Sequence, residues 1–306
     1  ARTARAQLVL LAGDLLDGEN TYRETAQALA RALGQMDCPV VISPGNHDPY
    51  TPHSPYATLA WPPNVHIFRR AELEALELPQ LNCVVYGRAF ISPLEDTPPL
   101  EGFSAPQDGR LHLMCLHGDL GKSSRYAPVD PAQVAASGLD YLALGHIHTF
   151  SGLQRAGSVP WAYPGCPEGR GFDELGEKGV LCGTVEKGAI HLDFVPLCKR
   201  RYEILEIDAS QDFGSALPRD AQADIYRILL TGETGVEGPN LPALTRLASP
   251  HFYSVTLQDR TTVRQDLWAR AGEDTLTGLF LREMQAQLAA AQGEEDRREL
   301  ELAVRF

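Results

Sequence analysis

Four apolar runs in the first half of the chain each end in a short polar string, and this arrangement restricts the fold more than any other feature. Gln7 to Leu11 leads into Gly13-Asp14-Leu15-Leu16-Asp17, and Cys38 to Ile42 leads into Gly45-Asn46-His47-Asp48. Leu111 to Leu116 leads into His117-Gly118-Asp119, and Tyr141 to Leu144 leads into Gly145-His146-Ile147-His148. Apolar runs without alternation read as strands covered on both faces. Between the first two lies a helix-like segment, Tyr22 to Leu33, with apolar or small residues at Tyr22, Ala26, Leu29, Ala30 and Leu33 and Gly34 as its stop. Strand, helix, strand, with a chemical string at each strand exit, is the rhythm of a layered α/β domain.

The rhythm continues through a short helix over 131–136, closed by Gly138, and then changes. Beyond Phe150 the pattern becomes hairpin-like, with strands over 180–185 and 189–195 joined by Glu186-Lys187-Gly188. Lys199-Arg200-Arg201 marks a boundary. After it come strands over 202–207, 223–230 and 252–257, a Gly- and Pro-bearing loop over 231–242, and a terminal helix over 274–290. A chain of 306 residues is too long for one small core. The expected fold class is α/β: a four-layer sandwich of two mixed sheets flanked by helices over residues 1–198, followed by a small α+β domain over 199–306.

Charge and cysteine content narrow the setting. The formal net charge is −13, the reverse of the balance usual in proteins that grip nucleic-acid phosphates. Bound divalent ions, a local basic patch or a basic partner would have to supply the missing positive field. The six cysteines stand singly with no Cys-x-x-Cys pair, as reduced thiols do. The apolar stretches fall far short of a bilayer span, and the first six residues lack the apolar core of a signal peptide. No membrane association is expected, and a cytoplasmic location is.

The strings carry carboxylate, amide and imidazole donors. Two-metal cleavage of a phosphodiester needs ions about 3.5–4 Å apart, a bridging oxygen ligand, an activated water and a group for the leaving oxygen. Asp14 suits the bridge, Asn46 offers a neutral oxygen, and His117, His146 and His148 offer imidazoles. Residues two apart in an extended segment face the same way, so His146 and His148 are expected to face one cluster. His47 should point toward the substrate, and with Asp48 beside it to raise its pKa it is a candidate general acid. Taken alone, a Gly-Asp or Asn-His pair after a strand is usually a turn. The conjunction of four compatible strings is what points to a metal cluster. His53, His66, His112, His191 and His251 lack such company and read as structural or surface residues. Arg69, Arg70, Arg170, Lys178, Lys199, Arg200 and Arg201 are candidates for a nucleic-acid path, or equally for a solvated surface.

In this order the strings resemble the signature of the calcineurin-like metallophosphoesterase superfamily: Gly-Asp-x-x-Asp, Gly-Asn-His-Asp/Glu, His, and Gly-His-x-His. The segment from Tyr163 to Glu174, with Glu177-Lys178-Gly179, is similar to the stretch after the last histidine string in SbcD-type DNA repair exonucleases, including the YhaO-like branch. The resemblance covers roughly residues 7–195. It implies the metallophosphoesterase sandwich, with a C-terminal capping domain after it. It further implies a metal-dependent exonuclease acting on DNA with two divalent ions, typically manganese, and an SbcC-type coiled-coil ATPase as partner; a homodimer is compatible with it. By that resemblance Asp14 would bridge the ions, Asn46, His117 and His146 would complete one site, His148 would belong to the other, and His47 would be the catalytic histidine.

The family's opening Asp-x-His element has no counterpart in the six residues before Gln7, and a βαβ unit to carry it needs about 30 residues. On this reading the chain is N-terminally truncated: one site keeps four protein ligands, the other only Asp14 and His148. Two further functions fit the same strings, a phosphodiesterase of small nucleotides and a non-catalytic scaffold of the same fold. Metal analysis of this chain is expected to find one ion held firmly and a second weakly; two ions at full and equal occupancy would contradict the ligand count.

Overall fold

The computed structural model describes residues 2–16, 18, 21–235, 237–263 and 268–305. Asp17, the last residue of the first string, lies outside the described residues. The chain divides into two compact units, Ala1–Pro167 with Lys178–Leu197, and Glu168–Glu177 with Cys198–Phe306.

In the first unit, β1 (Val9–Leu11), β2 (Val40–Ile42) and β3 (Val65–Ile67) form a parallel sheet in that order. A second sheet holds β4 (Glu74–Leu78), β5 (Cys83–Gly87), β6 (Leu111–His117), β7 (Tyr141–Gly145), β8 (Gln154–Ala156) and β9 (Val159–Ala162). Its order is β4-β5-β6-β7-β9-β8, with β5, β6, β7 and β9 parallel and the two edge strands antiparallel. A hairpin of β10 (Gly179–Glu186) and β11 (Ala189–Pro196) completes the unit.

Alternate side chains of a strand face opposite ways, and each sheet here buries both faces. Val41 of β2 packs toward Val85, Leu113, Cys115 and Tyr141 of the second sheet, with Leu192 of the hairpin joining this middle core. Val40 and Ile42 face the other way, against Ala26 and Leu33 of the helix Arg23–Gly34. On the far side of the second sheet, Met114, Leu116, Leu142 and Leu144 pack with Val134 of the helix Pro131–Ala136. Helix, sheet, sheet, helix is the four-layer arrangement read from the sequence. The first sheet is wholly parallel among the described residues, not mixed. The β4 strand was not foreseen because its Glu74-Ala75-Leu76-Glu77-Leu78 pattern is that of a charged, half-exposed edge.

The second unit holds β12 (Tyr202–Asp208), β13 (Ile225–Thr231), β14 (Glu233–Thr234), β15 (Ser254–Asp259) and β16 (Thr262–Val263). β12, β13 and β15 form a parallel sheet, and β14 pairs with β16. Parallel neighbours cannot be joined by a tight turn; the helices Phe213–Ala216 and Leu241–Ala248 lie between these strands, and Leu276–Ala290 and Glu294–Arg305 follow them. The segment expected as a loop over 231–242 contains β14 and the start of a helix, Leu241–Ala248, capped by the Asn240 side chain accepting the Ala243 N–H at 3.0 Å. Ile207, Ile228, Leu230, Ala248 and Phe252 make its core. Residues 168–177, which the sequence left within the first domain, fold with this unit. Phe172 sets its ring edge-on to Tyr202 at 5.2 Å and lies under the Arg227 guanidinium at 4.0 Å.

Cys38, Cys83, Cys115 and Cys182 are free thiols. No helix among the described residues is long and apolar enough to cross a membrane. Leu142 is fully buried in β7; truncating it in Leu142→Ala is expected to lower unfolding stability by about 2–5 kcal/mol, measured by urea denaturation.

Candidate metal centre

The glycines of the strings are there because strand exits crowd together. Gly13 has φ +84°, and a Cβ on it would sit 2.6 Å from His117 Nδ1. A Cβ on Gly45 would collide with Asp14 Oδ1, and one on Gly145 with the Ala12 carbonyl oxygen. The exits of β1, β2 and β7 therefore close on one another and on His117, the last residue of β6. Asp14 itself turns left-handed at φ 53°, which swings its side chain out of strand geometry.

Asp14, His117 and His146 each place one ligand atom within 4.8 Å of the others. His117 Nε2 lies 2.8 Å from Asn46 Oδ1 and 3.3 Å from Asp14 Oδ2, and His146 Nδ1 lies 3.1 Å from Asn46 Oδ1. The His117 ring is oriented by Nδ1, which donates to the Ala12 carbonyl at 2.8 Å. Burial pushes the His117 pKa down to about 4, so the ring is neutral near pH 7. A neutral imidazole whose Nδ1–H is committed to Ala12 presents a lone pair at Nε2. That lone pair faces two oxygens, each itself an acceptor. A divalent cation satisfies all three at once, so the donor set fits a metal. Burial likewise raises the Asp14 pKa, opposed by the His47 N–H, which donates to Oδ1 at 2.9 Å, and by the neighbouring imidazoles of His47, His146 and His148.

Four of the seven sequence-derived residues thus meet: Asp14, Asn46, His117 and His146. His47 is exposed, near enough for its charge to act on Asp14, His117 and His146. His148 acts on Asp14 and His146 in the same way but falls outside the tight group among the described residues. The period-two argument for His146 and His148 does not hold, because β7 ends at Gly145 and His146 turns at φ 109°. Asp48 is also corrected: its carboxylate is buried and occupied by backbone amides and the Tyr56 hydroxyl, which leaves it no lone pair for His47. Lys178 is 3% exposed and directs Nζ to the His148 carbonyl at 3.0 Å, so it is no part of a solvent-facing path. Two aromatic neighbours carried no sequence signal: Phe90 edge-on to His117 at 5.4 Å, and Tyr126 tilted against His146 at 5.0 Å.

The calcineurin-like phosphoesterase family model matches residues 1–150. Residues 1–150 thereby fall in the calcineurin-like metallophosphoesterase superfamily. Among curated proteins it is 30% identical over 217 residues to the uncharacterized metallophosphoesterase YhaO of Bacillus subtilis (strain 168). That match takes in 68% of this chain and 52% of the relative, so the chain spans about half the length of the protein it resembles.

A cobalt(II) titration followed by visible absorption is expected to show one tight ion per chain. His146→Ala is expected to abolish that binding with the far-UV circular dichroism unchanged.

Proposed function

We propose that the chain is a metal-dependent phosphodiesterase of the nuclease kind: a DNA repair exonuclease of the cytoplasm that uses Mn2+, works with an SbcC-type coiled-coil ATPase, and pairs as a homodimer. The observation that carries the hydrolytic reading is the His117 Nε2 lone pair turned toward Asn46 Oδ1 and Asp14 Oδ2, beside the His146 imidazole. Asp14, Asn46, His117 and His146 would hold one ion, and Asp14 with His148 would contribute to holding the other. Bound divalent ions would supply neutralisation of phosphate charge and a water of lowered pKa.

The remaining chemistry belongs to the chain. His47 is exposed beside the cluster, where an imidazole can pass a proton to the leaving oxygen. The backbone N–H of the same residue steadies Asp14 Oδ1. DNA as substrate is supported by the similarity of residues 163–179 to SbcD-type exonucleases, and the partner ATPase would supply the positive field that a chain of net charge −13 lacks. That same acidity favours a second reading, a phosphodiesterase of small nucleotides.

Linear duplex DNA and bis(p-nitrophenyl) phosphate, each with Mn2+, separate the readings. Release of nucleotides from duplex ends is the expected result. Turnover of the small diester alone would favour the second reading, and turnover of neither would leave a scaffold. His47→Ala is expected to lower kcat by about 10²–10⁴-fold with Mn2+ affinity retained; cleavage equal to the parent would remove His47 from the reaction.

A further inference from the structure

We propose that Asp48 is a positioning residue, a buried bracket that holds the Asp14 exit and the Gly45-Asn46 exit in the geometry that receives the metal. The inference rests on the metal-centre reading above.

Asp48 is 4% exposed. Its Oδ1 accepts the Asp14 N–H at 3.0 Å and the Gly45 N–H at 2.7 Å. Its Oδ2 accepts the Leu15 N–H at 2.7 Å, the Leu16 N–H at 3.1 Å and the Tyr56 hydroxyl at 2.6 Å. A carboxylate offers about four lone-pair sites, and five donors fill them.

Three consecutive amides can converge on one carboxylate only because Asp14 is left-handed and curls residues 14–16 into an anion-binding nest. That backbone conformation is disfavoured for a residue with a Cβ and persists where its surroundings over-determine it. The Asp48 charge is that surrounding. It binds the amide of Asp14 itself, while His47 N–H holds Asp14 Oδ1 from the neighbouring exit. Through Gly45 it also fixes the residue before Asn46, whose Oδ1 contacts both imidazoles. One side chain thus ties two ligand-bearing exits that stand over thirty residues apart. A ligand held in place before the metal arrives binds it more tightly than one that must be ordered on arrival.

Asp48→Asn replaces an acceptor oxygen with an NH2 group facing backbone N–H donors. The cobalt(II) titration of this variant is expected to show about 10–100-fold weaker binding and a changed visible spectrum. In the metal-free protein, amide hydrogen exchange at residues 14–16 is expected to speed up. Tyr56→Phe, which removes one donor and leaves the carboxylate, is expected to shift the same readouts less and in the same direction. Parental affinity and spectrum in Asp48→Asn would overturn the proposal. Should that variant fail to fold, parental affinity and parental exchange in Tyr56→Phe would overturn it equally. If the parent itself bound no cobalt, the metal-centre reading would fall, and the bracket's role toward a metal with it.

Discussion

The face-to-face burial of two parallel strand sets governs the rest of the structure. Val41 on β2 meets Val85, Leu113, Cys115 and Tyr141 across the middle core. Parallel strands put their carboxyl ends on one edge of each sheet. Packing the sheets together then brings two such edges into one place, and Asp14, Asn46, His117 and His146 are the residues found there. The residues of this core are buried between the sheets, and their volume fixes the distance between the exits.

The same burial sets the electrostatics of the centre. Desolvation is the leading cause both of the lowered pKa of His117 and of the raised pKa of Asp14. A neutral imidazole lone pair, an amide oxygen and a carboxylate oxygen are thereby pressed together, acceptor against acceptor. Such a set of acceptors is self-consistent around a cation. Glycine at 13, 45 and 145 is the steric counterpart, since any side chain there would push the exits apart.

Much of this was readable in advance because it is local. Unbroken apolar runs gave β1, β2, β6 and β7, the strands that carry the four strings, and the stop at Gly34 gave the end of the first helix within a residue. The residues that were misread are those whose meaning depends on distant partners. Asp48 sits beside His47 in the chain, but its donors come from residues 14–16, 45 and 56. Residues 168–177 look like a loop of the first unit, yet Phe172 belongs to the aromatic and guanidinium contacts of the second. Lys178 reads as a surface cation and is instead buried against the His148 carbonyl.

By itself, then, the sequence determined the four strands that carry the strings, the first helix between them, the donor types at each strand exit and the family those strings resemble. These follow from periodicity and short motifs, which are properties of neighbouring residues. Only the tertiary structure decided which donors meet, which way His146 turns, and that Asp48 serves the backbone of the first exit. Those outcomes rest on contacts such as His117 to Ala12 and His146 to Asn46, about a hundred residues apart in sequence. Burial between packed sheets creates such contacts, and no local pattern encodes them.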